Sequence, residues 1–169
     1  MSETYCHSTP PSAANAGLDA FGRTVDYLRI SVTDGCNERC LYCLPESYKG
    51  WERKPDHLTA DEIIRVVRVA AGMGFRKFRL TGGEPLVRAD LPNIVRGMSA
   101  VPGVEHIGLS TNGTRLAGLA RTLRDAGVTT VNVSLDALNP AAYHRITGGD
   151  ANAVLAGIRA AVAAGFERV

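Results

Sequence analysis

One repeated unit narrows the possible folds of this 169-residue chain more than any other feature: a short β-rich run, a polar loop, then a helical pattern. The runs are YLRISV (27–32), KFRLT (77–81), HIGLS (106–110) and TVNVS (130–134), and a fifth begins at Arg168 and Val169. Strands separated by a helix-length crossover pair in parallel. Right-handed crossovers then predict an α/β sheet or a barrel-like curl. The helices carry their own boundaries. Thr59 and Glu62 form a T-x-x-E capping box, and Gly72 and Gly74 close that helix. Asp90 is the expected cap of a helix over 91–98, with Pro92 in its first turn. Two further helices, 116–126 and 151–164, stop at Gly127 and Gly165.

In such folds chemistry gathers at the carboxyl ends of the strands. Each run opens there into a distinctive loop: TDGC, GGEP, TNG and LDA. Turns favour Gly, Asn and Asp on their own account. Four such loops in phase nevertheless point to one shared site.

The strands themselves say what that site faces. One parity is apolar: Leu28, Ile30 and Val32; Phe78 and Leu80; Ile107 and Leu109; Val131 and Val133. The other holds Arg29 and Ser31; Arg79 and Thr81; Gly108 and Ser110; Asn132 and Ser134. Successive side chains point to opposite faces, so the sheet has an oily side for helices and a polar side. Parallel strands covered on both faces are normally apolar throughout. The polar side carries two arginines, and a buried unpaired charge costs several kcal/mol. Their partner is either an internal acid, Asp136 or Glu84, or an anionic ligand. The guanidinium fork suits phosphate oxygens.

The segment CNERCLYC places Cys36, Cys40 and Cys43 as C-x3-C-x2-C in the first strand–helix loop. Iron–sulfur clusters are held by cysteine thiolates, commonly four. Three ligands leave one iron open to a small ligand, as a catalytic zinc keeps an open position. The competing reading is a zinc site completed by His7, His57 or Cys6, but the distant second ligand pair usual for structural zinc is absent. Clustered cysteines also fit a reduced, cytoplasmic setting better than disulfides do.

The aromatic Tyr42 before the last cysteine, with Gly82, Gly83, Glu84 and Pro85, resembles the radical S-adenosylmethionine (SAM) superfamily. The strings LRISVTDGCNERCLYCLPE, FRLTGGEPLVRADL, GLSTNG and NVSLDA together resemble the GTP 3′,8-cyclase family, which begins molybdenum cofactor biosynthesis. The resemblance implies an incomplete TIM-like barrel with a 4Fe–4S cluster on Cys36, Cys40 and Cys43. It implies SAM against Tyr42, Gly83 and Ser134, with Glu84 beside its amino end, and GTP against Arg29, Arg79 and Ser110. The implied reaction uses a 5′-deoxyadenosyl radical to convert GTP to 3′,8-cyclo-7,8-dihydro-GTP, so no side chain serves as a general acid or base. An electron-donor protein and a downstream pterin synthase would be partners. The family also carries a second cluster on three further cysteines, which this sequence lacks. The expectation is therefore a front portion, ending as its fifth strand begins. Two rival readings are a radical SAM maturase acting on a peptide and a metal-binding fragment without catalysis.

The rest is plainer. Residues 1–20 read as a disordered lead-in without a signal-peptide core, and 21–169 as one barrel domain. No apolar run approaches the ~20 residues of a membrane span. The 19 basic and 17 acidic side chains form no basic block, so neither membrane nor nucleic acid is expected as a partner. Met73 and Met98 read as core. The charged loop 51–57 reads as solvated, and Gly148–Gly149 as a turn. His57, His106 and His144 have no paired acid at a telling spacing.

Overall fold

The computed structural model describes residues 17–18, 20–43 and 57–169. The expectations for residues 1–16, Cys6 and His7 among them, and for residues 51–56 lie outside the described residues. Leu18 bridges Thr24 antiparallel, and the Val25 N–H donates to the Gly17 carbonyl, so residues 17 and 18 fold back ahead of the first strand.

The alternating runs form β1 (Tyr27–Ser31), β2 (Lys77–Thr81), β3 (His106–Thr111) and β4 (Thr130–Val133). They make one parallel sheet in the order β1-β2-β3-β4. Helices α1 (Ala60–Gly72), α2 (Leu91–Ser99) and α3 (Leu116–Ala126) return the chain between strands, and α4 (Pro140–Thr147) and α5 (Ala151–Ala164) follow β4. The fifth run starts where expected: Arg168 pairs parallel with Thr130, and the Val131 N–H donates to its carbonyl at 3.0 Å.

The oily parity makes the core. Phe78, Leu80, Ile107, Leu109 and Val131 are buried under Ile63 and Val67 of α1, Ile94 and Met98 of α2, and Leu116 and Leu123 of α3. Leu28 and Ile30, on the edge strand, are only half-buried. Met73 departs from expectation. It caps α1 at 56% exposure, and Val66 and Val69 are exposed with it. An α-helix turns about 100° per residue, so Ile63, Val67, Ala70 and Ala71 already fill the side facing the sheet.

The capping box on α1 forms as read: the Glu62 N–H donates to Thr59 Oγ1 at 3.3 Å and the Thr59 N–H to Glu62 Oε2 at 2.8 Å. Asp90 does not cap α2. Its carboxylate takes Arg88 Nε at 2.8 Å and Nη2 at 3.1 Å instead, a charge-assisted fork that outcompetes a backbone amide. Helix α4, which no pattern above anticipates, is capped by the Asn139 side chain accepting from the Ala142 N–H at 3.0 Å.

Three loops at the carboxyl ends of the strands are stitched together. The Gly83 N–H donates to the Thr33 carbonyl at 2.8 Å and the Glu84 N–H to the Gly35 carbonyl at 2.7 Å. This brings the β2 loop so close to the β1 loop that a β-carbon on Gly83 would run into the carbonyl oxygens of Asp34 and Gly35. The Glu84 side chain turns inward at 1% exposure. Its Oε1 accepts from the Leu86 N–H (2.9 Å) and Thr111 Oγ1 (2.7 Å), and its Oε2 from the Asn112 N–H (2.7 Å). Burial pushes this carboxyl above its ordinary value, and the three donors oppose that shift. Glu84→Gln would set an amide NH2 against at least one of those donors. It should cost about 1–3 kcal/mol, read as a lower urea midpoint with an unchanged slope.

Candidate functional site

The cysteine segment leaves β1 and runs across the carboxyl end of the sheet. Cys36, Cys40 and Cys43 are free thiols, the first two half-buried and the third exposed. All three line one cavity of about 340 Å³ with Ser31, Thr33, Asp34, Glu38, Gly82 and Gly83. Burial pushes the Cys36 and Cys40 thiols up, and the Glu38 carboxylate adds to the effect on both. Among the described residues no three His, Cys, Asp or Glu side chains converge tightly on a single point. The three thiols share one wall of that cavity.

The loop is held from two sides. Asn37 Nδ2 donates to Thr114 Oγ1 at 2.8 Å, and Asn112 Nδ2 donates to Asn37 Oδ1 at 3.1 Å, tying it to the loop after β3. On the other side the Arg39 N–H donates to the Thr147 carbonyl (2.7 Å) and the Leu41 N–H to the Ile146 carbonyl (2.9 Å), at the end of α4.

Of the residues expected around SAM, Gly83 lies in the cavity wall, whereas Tyr42 and Ser134 do not. Tyr42 is 68% exposed and reaches over the rim: its hydroxyl donates to Asp136 Oδ2 at 3.1 Å, bridging the first and fourth loops. Ser134 is exposed two positions before Asp136, with its N–H on the Thr111 carbonyl at 2.9 Å. Glu84 points inside the protein, where its carboxylate accepts from three internal donors.

The polar parity gathers the arginines. Arg29, Arg79, Gly108 and Thr130 stand side by side across the four strands. Arg79 lies flat over Gly108, where a β-carbon would sit 2.8 Å from Nη2. Its Nε donates to the Tyr27 hydroxyl at 2.8 Å. Nη1 donates to the Leu109 carbonyl at 3.1 Å and Ser110 Oγ at 3.5 Å, and Nη2 to Thr130 Oγ1 at 3.5 Å. All of these acceptors are neutral. Arg29 is exposed and makes no hydrogen bond or ion pair with a described residue. Neither Asp136 nor Glu84 reaches them, so the internal-acid alternative is not realised among the described residues. Lys77 shares their face, a position the sequence reading did not single out, but its ammonium is paired with Asp26 at 2.9 Å.

His57 does have an acid partner, contrary to expectation: Nε2 lies 3.0 Å from Asp34 Oδ1. The two are far apart in sequence and meet only because α1 begins beside the β1 loop. His106 contacts Thr129 and Thr130 hydroxyls, and His144 the Gly149 carbonyl. Among the described residues no helix is long and apolar enough to cross a membrane.

Comparison with known proteins agrees with this geometry. The chain is 48% identical over 156 residues to the GTP 3′,8-cyclase of Aeromonas hydrophila, covering 89% of the chain and 46% of that protein. It is 48% identical over 152 residues to the GTP 3′,8-cyclase of Moorella thermoacetica, covering 89% and 47%. It therefore spans about half the length of the curated relatives it matches. Its fold superposes on HydG, a maturase of the FeFe-hydrogenase, with a TM-score of 0.67 at 17% identity, over 83% of this chain and 33% of that one. The four βα units are thus part of a TIM-like barrel. The model of the radical SAM superfamily matches residues 30–169, and the chain belongs to that superfamily.

Proposed function

We propose that this chain is the cluster-bearing portion of a GTP 3′,8-cyclase, acting in molybdenum cofactor biosynthesis. The observation that carries the reading is the 48% identity to two curated cyclases across nine-tenths of the chain. The pair of arginines without acidic partners among the described residues supports it, since a triphosphate would supply negative charge there.

Radical SAM enzymes use a 4Fe–4S cluster and SAM. The donor set fits: three thiols line one wall, with Gly83 leaving the backbone bare beside them. In this reading Cys36, Cys40 and Cys43 would hold the cluster, with SAM beside it. When bound, the two supply a one-electron cleavage that yields a hydrogen-abstracting radical. The residues of the chain orient. Gly83 admits the amino end of SAM, and Tyr42, fixed by Asp136, and Ser134 flank the rest. Ser110 and Arg79 set the inner limit of the GTP pocket. Arg29, free to move, closes on the phosphates. The thiolates call for a reducing setting, so we place the protein in the cytoplasm, with an electron-donor protein upstream and a pterin synthase downstream.

Metal analysis after anaerobic reconstitution should give about four irons and four sulfides per chain, and any one of Cys36→Ala, Cys40→Ala or Cys43→Ala should abolish them. One zinc per chain in their place would refute the cluster. Calorimetric titration with GTP tests the substrate. Arg29→Ala should weaken binding about 10-fold or more while leaving the thermal midpoint nearly unchanged, because Arg29 is exposed and unpartnered. Arg79→Ala should weaken binding and lower the midpoint together, since it also strips Tyr27, Leu109 and Thr130 of a donor. GTP affinity unchanged in both variants refutes the assignment.

A further inference from the structure

One buried polar pair has no part in the roles given above. Glu38 is 4% exposed, and its Oε1 accepts from the hydroxyl of Tyr143 at 2.8 Å; Tyr143 is wholly buried. A carboxylate so placed is costly unless a hydrogen bond compensates it. The surroundings are shaped for it: a β-carbon on Gly149 would collide with Glu38 Oε1. The main chain of the same residue does something else. The Glu38 N–H donates to Cys36 Sγ at 3.4 Å. Glu38 therefore grips α4 with its side chain and a cysteine of the cavity with its backbone.

We propose that the Glu38–Tyr143 contact is a positioning anchor that aims the Glu38 N–H at the Cys36 sulfur and so raises the reduction potential of the cluster. The proposal rests on the reading of Cys36, Cys40 and Cys43 as cluster ligands. An N–H bonded to a ligand sulfur draws off negative charge, which favours the reduced, more negative cluster. Hydrogen bonds weaken steeply with angle, so a residue free to rock on its backbone loses this one. Supporting contacts of this kind orient first ligands and tune the metal they hold. The side chain acts by holding. Glutamine, which also accepts from a hydroxyl, does the same.

Redox titration of the anaerobically reconstituted chain, read by the electron paramagnetic resonance of the reduced cluster, tests the anchor. Tyr143→Phe keeps the ring and the carboxylate but removes the donor, and its midpoint potential should fall below wild type. Gly149→Ala should lower it too, by displacing Oε1 from its seat, and it serves if Tyr143→Phe does not fold. Glu38→Gln should stay at or above wild type. Combined with Glu38→Gln, Tyr143→Phe should still lower the potential, which separates anchoring from charge. An unchanged potential in both Tyr143→Phe and Gly149→Ala overturns the proposal, as does a fall in Glu38→Gln or a Tyr143→Phe effect that vanishes in the double variant. A wild-type chain that takes up no iron instead overturns the cluster reading itself, and the anchor with it.

Discussion

A parallel sheet with helices on one side only must give its other side something polar to face. That constraint organises this molecule. Phe78, Leu80, Ile107, Leu109 and Val131 commit one parity to the core. Every alternate position is thereby committed to the open side, where Arg29, Arg79 and Ser110 stand. Gly108 fits the same logic: a residue with no side chain lets a guanidinium lie across the sheet and bond neutral oxygens on β3 and β4. The loops above follow from the strands below. They emerge at adjacent points, close enough for Glu84 to fasten the second to the third with its buried carboxylate.

The cysteine segment depends on a different support. The two asparagines hold it on one side and the end of α4 on the other. Helix α4 is short, and isolated helices of eight residues are not stable in water. It persists because Tyr143 packs with Ala151 and Val154 in a small second core under α5. The thiols are thus placed by a helix whose own existence depends on packing more than a hundred residues further along the chain.

Much of the scaffold was readable from the sequence because its signals are local. Period-two alternation marked all four strands, and the capping box at Thr59 and the glycines at 127 and 165 marked helix ends. The three thiols were readable for the same reason, lying within eight positions. What escaped was non-local or weakly patterned. Helix α4 buries only Tyr143 and Thr147, too little for an apolar stripe, although Asn139 before Pro140 and Gly148 after Thr147 were boundary signals. Glu84 was offered as an internal acid for the arginines, but its carboxylate accepts instead from donors on another strand's loop. The partners His57 and Asp34, and Glu38 and Tyr143, sit too far apart in sequence for any spacing rule to pair them. Met73 shows the opposite error: α1 has more apolar residues than one face can bury.

The two arginines differ in one further respect. An arginine side chain carries about 2 kcal/mol of rotamer entropy, which binding normally removes. Arg79 lost that freedom on folding, to Tyr27, Leu109 and Thr130, whereas Arg29 still has it. An anion that bound at this face would meet one charge already immobilised, which would dictate where it settles, and one still sampling orientations, which would tolerate differences in what arrives. Selectivity by shape would reside with the first, and tolerance of shape with the second.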